Sequence, residues 1–407
     1  MLEFTDQLSR EENDEFVKAH PLCNLLQSSS WADIKSNWDH CYTGVKKDGC
    51  LAATAMVLIK RLPLGFTLFY IPRGPIMDYK DQALTAFMLK ELKKLGKKHH
   101  CLYIKIDPYI LKNQYRIEEA NESINDECKQ VMNSLRACGA IHQGFTKDIM
   151  STIQPRYQAN VYAVDNFEEN LPRHTKRLMK DALKRHVQLI MGGSELVKEF
   201  AQVVAKTENR KKIALRNEEY FQKLMNAYGD DAKILLAKVN VKQLVDTTQT
   251  SLETMTQEYN DLPENQVKKR RRLEEQLSSL RKDLSEYTEI AAAVEGQSEM
   301  VIAGCLSVKY GTTMEMLYAG MDERFKKFMP QYSIYVKQMN WAFENGCHWC
   351  NMGGVEGTLD DGLTKFKANF NPTIDETIGE FDLPVNKSLY KASEMAYKLR
   401  KKMKVKA

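Results

Sequence analysis

No stretch of this chain reaches the roughly 18 consecutive apolar residues that a membrane-spanning helix needs. The longest apolar run, Cys50 to Ile59, is strand length. The first sixteen residues, MLEFTDQLSREENDEF, are acidic and polar, so they do not read as a secretory signal. Charge of one sign is lacking too. The 59 basic and 54 acidic side chains leave only +5, so any anion-binding surface must come from local clustering. Cysteine is sparse, and the nine present are scattered and odd in number, which points to free thiols in a cytoplasmic protein. The one close pair, Cys347 and Cys350 in C-H-W-C, has no second pair at zinc-ribbon spacing and sits in a strand-like run. The expectation is buried, inert thiols and no metal.

Familiar catalytic signatures are missing as well. There is no G-x-x-x-x-G-K-[ST], no G-x-S-x-G and no H-E-x-x-H. N-M-G-G-V-E-G-T from Asn351 has three glycines but not the strand-to-helix spacing of a dinucleotide loop. The eight histidines show no metal-ligand pairing; His99-His100 reads as a pair at the negative end of a helix.

What is present is a large globular chain. Its 407 residues, 43% hydrophobic and 28% charged, suggest two or three domains with a sizeable core. From Val241 to Gly296 glycine nearly vanishes and Glu, Gln, Lys, Arg and Leu dominate. Leu244, Thr248, Ser251, Met255, Tyr259 and Leu262 follow heptad steps, and Leu273, Leu277, Leu280, Leu284, Tyr287 and Ala291 resume them after Pro263. The pattern predicts an antiparallel helical hairpin, an arm standing outside any core. The basic run Lys268 to Arg272 opens its return helix, either as a solvated face or as a phosphate contact.

With the arm set aside, the two halves echo each other. Residues 42 to 58 read as a hairpin turning at Asp48-Gly49. A strand (66–71), a Pro/Gly loop, a helix (80–98) and a strand (101–106) follow. The second half offers a strand (233–239), the arm, strands (300–309, 313–318), a loop at A-G-M-D-E, a helix (328–345) and a strand (347–352). The fold class is α/β (α+β), two similar units with the arm inserted at a hairpin of the second. Between them, 166–228 reads as helical. There Lys176, Lys180 and Lys184 share a helix face, and a second basic group holds Arg210, Lys211, Lys212 and Arg216. Either these are solvated faces or they meet a phosphate-bearing ligand.

Several local strings are distinctive together: Q-S-S-S-W-A-D-I-K-S-N-W from Gln27, Y-I-P-R-G-P from Tyr70, I-D-P from Ile106, T-I-Q-P-R from Thr152, Y-A-G-M-D from Tyr318, N-M-G-G-V-E from Asn351, then F-K at Phe366 and F-N-P-T-I from Phe370. On these strings the whole chain resembles the Fem/MurM family of aminoacyl-tRNA-dependent peptidyltransferases of peptidoglycan synthesis, most nearly the MurM type. The resemblance implies two acetyltransferase-like (GNAT-like) subdomains. The first is 1–155, completed by 375–407; the second is 156–240 with 297–374; the arm is 241–296. It implies transfer of Ala or Ser from aminoacyl-tRNA to the stem-peptide lysine of lipid II, as the first or the second branch residue. Aminoacyl-tRNA would be co-substrate, with no other cofactor, and the protein would meet the inner membrane face peripherally.

The resemblance also assigns residues. Lys35 and Arg216 would grip the precursor diphosphate, a task suited to a point cation plus a bidentate guanidinium. Trp38, Tyr70 and Arg73 would line the same cleft, Trp38 against a sugar or in the core. Asp107 would orient the attacking amine or cap the strand. Phe366 and Lys367 would meet the aminoacyl end of the tRNA, with Lys367 at the oxyanion or terminal phosphate. Lys176, Lys180, Lys184, Lys268 and Arg270 would bind the tRNA body. Two other readings compete: a CoA-dependent acetyltransferase, for which no Q/R-x-x-G-x-G/A loop is found, and a non-enzymatic tRNA-binding coiled-coil adaptor.

Overall fold

The turn at Asp48-Gly49 places both residues in the left-handed region (φ +52° and +87°), the geometry that matches the twist of the flanking strands. It joins the first long hairpin of a computed structural model that describes residues 1–120, 123–211, 216–294 and 299–395, with the side chains of 208–211 left aside. In chain order the first part comprises β1 (Leu2–Thr5), α1 (Arg10–Ala19), α2 (Ser29–Ile34), β2 (Asp39–Lys47), β3 (Cys50–Arg61), β4 (Thr67–Ile71), β5 (Ile76–Met77), α3 (Gln82–Lys98), β6 (Cys101–Ile106), β7 (Leu111–Arg116), α4 (Asp126–Ala137) and β8 (Ile141–His142). Then come β9 (Tyr157–Tyr162), α5 (Arg173–Lys184), β10 (Gln188–Gly192), α6 (Val197–Lys211), α7 (Glu218–Tyr228), β11 (Ala232–Asn240), α8 (Val241–Asp261) and α9 (Val267–Ala293). The chain continues with β12 (Glu299–Tyr310), β13 (Thr313–Met321), α10 (Pro330–Glu344), β14 (Trp349–Gly354), α11 (Gly362–Ala368), β15 (Thr373–Thr377) and β16 (Phe381–Pro384).

Two sheets result, each of eight strands among the described residues. One runs β1-β2-β3-β4-β6-β16-β8 with β5 on β3; the other runs β10-β11-β12-β13-β14-β9-β15-β7. The repeat is a repeat of topology. Strands β2, β3, β4 and β6 correspond to β11, β12, β13 and β14, and each sheet turns parallel at one place, β4 with β6 and β13 with β14. The helices α3 and α10 make those two crossovers. This is the two-unit, acetyltransferase-like α/β architecture that the resemblance implies. The units also exchange strands: β16 lies between β6 and β8, and β7 pairs with β15 in the other sheet.

Two local expectations change. The segment 166–228 is not all helix, because 188–192 forms β10, a half-buried edge strand. Its short apolar run follows directly on the basic helix α5 and ends at Gly192-Gly193. The segment read as a loop from Ala319 is still strand through Met321, since β13 continues pairing with β12 there.

The arm forms as an antiparallel pair, α8 and α9, of 21 and 27 residues. At 1.5 Å per residue they reach about 30 and 40 Å. Thr248, Leu262, Leu273 and Leu277 are buried along the seam. The expectation that the arm stands outside the core is corrected at its inner end. Val241, Leu244, Tyr287 and Ile290 are buried in the core of the second unit. The Tyr287 ring meets Phe328 edge-on at 5.7 Å, and Lys327 Nζ donates to Glu286 at 2.8 Å. Heptad spacing continues smoothly into this root, so periodicity alone does not mark where coiled coil ends and core begins.

A third apolar cluster lies between the units. Trp31, Ile34, Met56, Leu58, Tyr70 and Ile76 from the first side pack with residues such as Phe200, Phe221, Leu236 and Tyr310 from the second. Burial of this size on both faces joins the units into one body. Of the expected site residues, Tyr70 is part of this cluster and Trp38 packs against it.

Candidate active site

The Q-S-S-S-W string proves to be scaffold. The Gln27 side chain spans the Met56 backbone and the Pro72 carbonyl, accepting at 2.9 Å and donating at 2.6 Å. Ser28 caps α2 by accepting from the Trp31 N–H at 3.0 Å, and its hydroxyl is hydrogen-bonded to Tyr228. Ser29 donates to Asp14, and Ser30 to the Ala227 carbonyl. Ser29 therefore ties this short helix to α1, while Ser28 and Ser30 both tie it across to α7 of the second unit. The helix ends at Lys35, its C-cap, whose Nζ stands 4.7 Å from the Trp31 ring centre.

Lys35 is half-buried, and burial first, then the Arg216 charge, pull its pKa down. Arg216 arrives from the second unit just before α7, exposed, with its guanidinium 4.8 Å from the Tyr220 ring. Two cations from different units held close enough to repel are stabilised when an anion sits between them. Trp38 follows, half-buried, 6.5 Å from the Tyr70 ring and beneath Lys60 Nζ at 5.6 Å.

Tyr70 leads on to the buried carboxylate. Its hydroxyl donates to Asp107 at 3.0 Å, and the Arg73 N–H donates to the same side chain at 2.6 Å. Asp107 thus fastens the Pro/Gly loop, holding Arg73 at φ +53°. Gly74 is required beside it, because a Cβ there would lie 2.8 Å from the Gln27 amide carbon. Burial pushes the Asp107 carboxyl up to about 6 despite the Arg73 cation. Arg73 itself donates to the Pro155 carbonyl at 2.8 Å and lies over the Tyr109 ring.

One carboxylate here lies outside the distinctive sequence strings. Glu315 on β13 pairs in register with Asn351 of β14 across the parallel step. Burial raises its pKa to about 7, while Arg73 and an Asn351 hydrogen bond oppose the rise. Its mark in the sequence is a lone acid between two methionines in T-M-E-M-L.

The second half of the site is Lys367. Asp361 caps α11 by accepting from the Leu363 and Thr364 N–H groups. Lys367, only 3% exposed, donates to the Gly354 carbonyl at 2.8 Å. Burial draws its pKa from 10.5 down to about 7. Gly353 lies at φ +84°, which turns the chain after Asn351 and keeps it close to the lysine. Gly354 packs on Pro155, leaving no room for a Cβ. The path Asp107, Arg73, Pro155, Gly354, Lys367 therefore runs through direct contacts from one unit into the other. Phe366 faces Tyr332, Tyr335 and Phe370 at 5.3–5.6 Å, in an aromatic cluster that steadies α11.

The tRNA candidates divide. Thr175 of α5 is hydrogen-bonded to the Asn369 carbonyl just after α11, so the basic helix lies beside Lys367. On it Lys180 and Lys184 are exposed, and Lys176 donates to the Glu169 carbonyl. Lys268 is exposed on the arm. Arg270 is turned inward, donating to the Leu262 carbonyl at 2.7 Å with its guanidinium over the Tyr259 ring. The side chains of Arg210, Lys211 and Lys212 lie outside the described residues. Cys347 and Cys350 are buried, and burial pushes the Cys347 thiol up to about 11.

Comparison with known proteins gives a consistent picture. The FemAB family model matches residues 8–398. A lipid II:glycine glycyltransferase of Staphylococcus haemolyticus is 28% identical, covering 98% of this chain and 97% of that protein. Its namesakes in Staphylococcus epidermidis and Staphylococcus aureus are 26% and 25% identical at the same coverage. Among solved structures, the crystal structure of FemX is 25% identical with a TM-score of 0.75, covering 96% of this chain and 99% of that one.

Proposed function

Because the chain belongs to the FemAB family, we propose that it is an aminoacyltransferase of peptidoglycan synthesis. It moves one small amino acid from aminoacyl-tRNA to the stem-peptide lysine of lipid II. The observation that carries this reading is the layout of one inter-unit seam. Two cations near enough to interact, Lys35 and Arg216, stand at one place, and a buried carboxylate and a buried amine, Asp107 and Lys367, stand further along. A diphosphate at the first place leaves the sugar beside Trp38 and directs the peptide toward the second.

The reaction is aminolysis of an ester. The neutral lysine amine attacks the aminoacyl carbonyl, a tetrahedral oxyanion forms, and the ribose oxygen leaves. An ester is already activated, so orienting the two substrates supplies much of the acceleration, up to about 7 to 11 kcal/mol. Asp107 orients the amine, takes up its proton and passes it to the departing ribose oxygen; Lys367 donates to the oxyanion. The tRNA lies along α5, its acceptor end at α11, and Lys180 and Lys184 meet its backbone. Phe366 acts by holding α11 in place. Lipid II is reached peripherally, at the membrane surface; among the described residues no helix is long and apolar enough to cross a membrane.

Sequence resemblance points to alanine or serine as the transferred residue, and the relatives' names carry glycine. These differ by a methyl or hydroxymethyl group, worth only about 1–3 kcal/mol of discrimination in a pocket. The deciding experiment supplies purified lipid II with Gly-, Ala- and Ser-tRNA and reads product mass. One mass increment on the lysine is expected. No increment with any of them would overturn the reading.

A further inference from the structure

The β3–β4 connection carries a leucine that folding does not explain. Leu64 is 92% exposed and adopts φ +63°, so it gains neither burial nor a backbone conformation suited to its side chain. The tip around it is closed by the Leu62 N–H donating to the Phe66 carbonyl at 2.8 Å. Pro63 and Gly65 are exposed beside it, and Leu62 and Phe66 are half-buried. The sequence L-P-L-G-F thus projects an apolar knob from a tight, well-held turn.

Its surroundings are cationic. Lys60 and Arg61 lie at the end of β3, opposite Leu68 and Thr67. Thr67 also bonds to the carbonyls of His99 and His100, which brings the end of α3 with Lys97 and Lys98 alongside. Asp39 pairs with Arg61, and Asp6 with Lys98. Four cations therefore stand against two carboxylates, and Lys97 is exposed. An apolar knob ringed by lysines is the pattern of a segment that dips into the headgroup layer of an anionic bilayer. An RNA surface would use the cations and leave Leu64 without a purpose.

The position fits as well. Lys60 reaches from this tip over the Trp38 ring, next to the Lys35 end of the seam. Strands β4 and β6 both run from the tip toward Asp107. The order along the seam is then tip, diphosphate cations, carboxylate, as a precursor with its diphosphate at the membrane surface demands. We infer that the Leu62–Phe66 tip, with Lys97 and its neighbours, docks this protein on an anionic lipid bilayer. The inference rests on the proposed lipid-linked substrate for its orientation.

The test uses the full chain and sedimentation with phosphatidylglycerol vesicles free of lipid II. Wild type is expected to bind them and to ignore phosphatidylcholine vesicles. Leu64→Asp should weaken binding at least ten-fold, and Lys97→Glu about five-fold with a smaller salt dependence. Both variants should transfer normally to a water-soluble nucleotide-diphosphate muropeptide and poorly to lipid II in vesicles. Unchanged vesicle binding by Leu64→Asp overturns the inference, as does loss of tRNA affinity in Lys97→Glu with vesicle binding intact. Absence of transfer by wild type to either acceptor would instead strike the proposed function, while the vesicle binding would still decide the docking surface.

Discussion

Lys367 and Gly354 are joined by one hydrogen bond, Nζ to carbonyl at 2.8 Å, in a place almost closed to solvent. The buried amine has its pKa lowered from 10.5 to about 7. The unfolded chain keeps that proton to far higher pH than the folded one. Stability from this site therefore rises as pH goes from about 7 toward 10.5, and the full cost of burying the ammonium is felt below 7. Lys367→Met should melt above wild type at pH 6, with the difference shrinking by pH 10 in calorimetry. A pH-independent difference would show that the charge is not buried. The same variant should lose about 10²–10³-fold in single-turnover transfer, the usual cost of removing an oxyanion donor.

Lys35 and Arg216 are expected to act on binding. A hydrogen bond to a charged group is worth about 1.5–3 kcal/mol, so each alanine variant should raise the KM for lipid II about 10- to 150-fold. Turnover at saturation should hardly move. A large fall in kcat with unchanged KM would remove the diphosphate from this place.

Asp107 sets the acid limb of the rate profile. Its carboxyl is raised to about 6, first by burial. Wild-type kcat/KM should rise through about pH 6 as the carboxylate forms, and Asp107→Asn should lose that limb together with most of the rate. In stability the sign is opposite to an ordinary ion-paired acid. The folded state holds the proton longer, so this group's contribution is present below pH 3.8 and lost as pH rises through about 6. Thermal melts of the two proteins at pH 4 and pH 7 check it.

The arm should separate into root and tip. Tyr287→Ala removes a buried ring packed on Phe328 and should cost about 3 kcal/mol in denaturant unfolding. Deleting residues 253–274 with a short joining turn should leave the melting of the globule unchanged. A globule destabilised as much by the tip deletion as by Tyr287→Ala would contradict this division.

On α5, Lys180→Glu with Lys184→Glu should weaken tRNA binding and flatten its salt dependence. The slope of log affinity against log salt should shrink by about 0.7 for each phosphate no longer neutralised on single-stranded RNA, and somewhat more on a duplex. Arg270→Ala should leave tRNA affinity nearly unaffected, because its guanidinium already serves the arm.

These residues also show what the sequence makes legible. Asp48-Gly49 announces its hairpin because only certain residues tolerate both left-handed positions. The heptads announce α8 and α9 because the seam must recur along one face. The distinctive strings contain Lys35, Asp107 and Lys367, and the second basic group contains Arg216. Glu315 stays hidden because its setting depends on Arg73 and Asn351, both remote in the chain. Arg270 misleads because a cation's partner depends on the turn of a distant tip. The placement of β7 and β16 is equally invisible, since pairing order between remote strands leaves no periodic trace.

That exchange has a consequence for how the protein is made. β16 sits inside the first sheet, between β6 and β8. During synthesis the first sheet waits with a gap beside β6 until residues 381–384 leave the ribosome. Strand β7, which precedes the second unit in the chain, meanwhile waits for β15 of the second sheet. The usual order, in which an N-terminal domain folds while the rest is still being translated, cannot complete this first sheet. A nascent chain stalled before Phe381 would leave unpaired the edges of β6 and β8 that β16 joins.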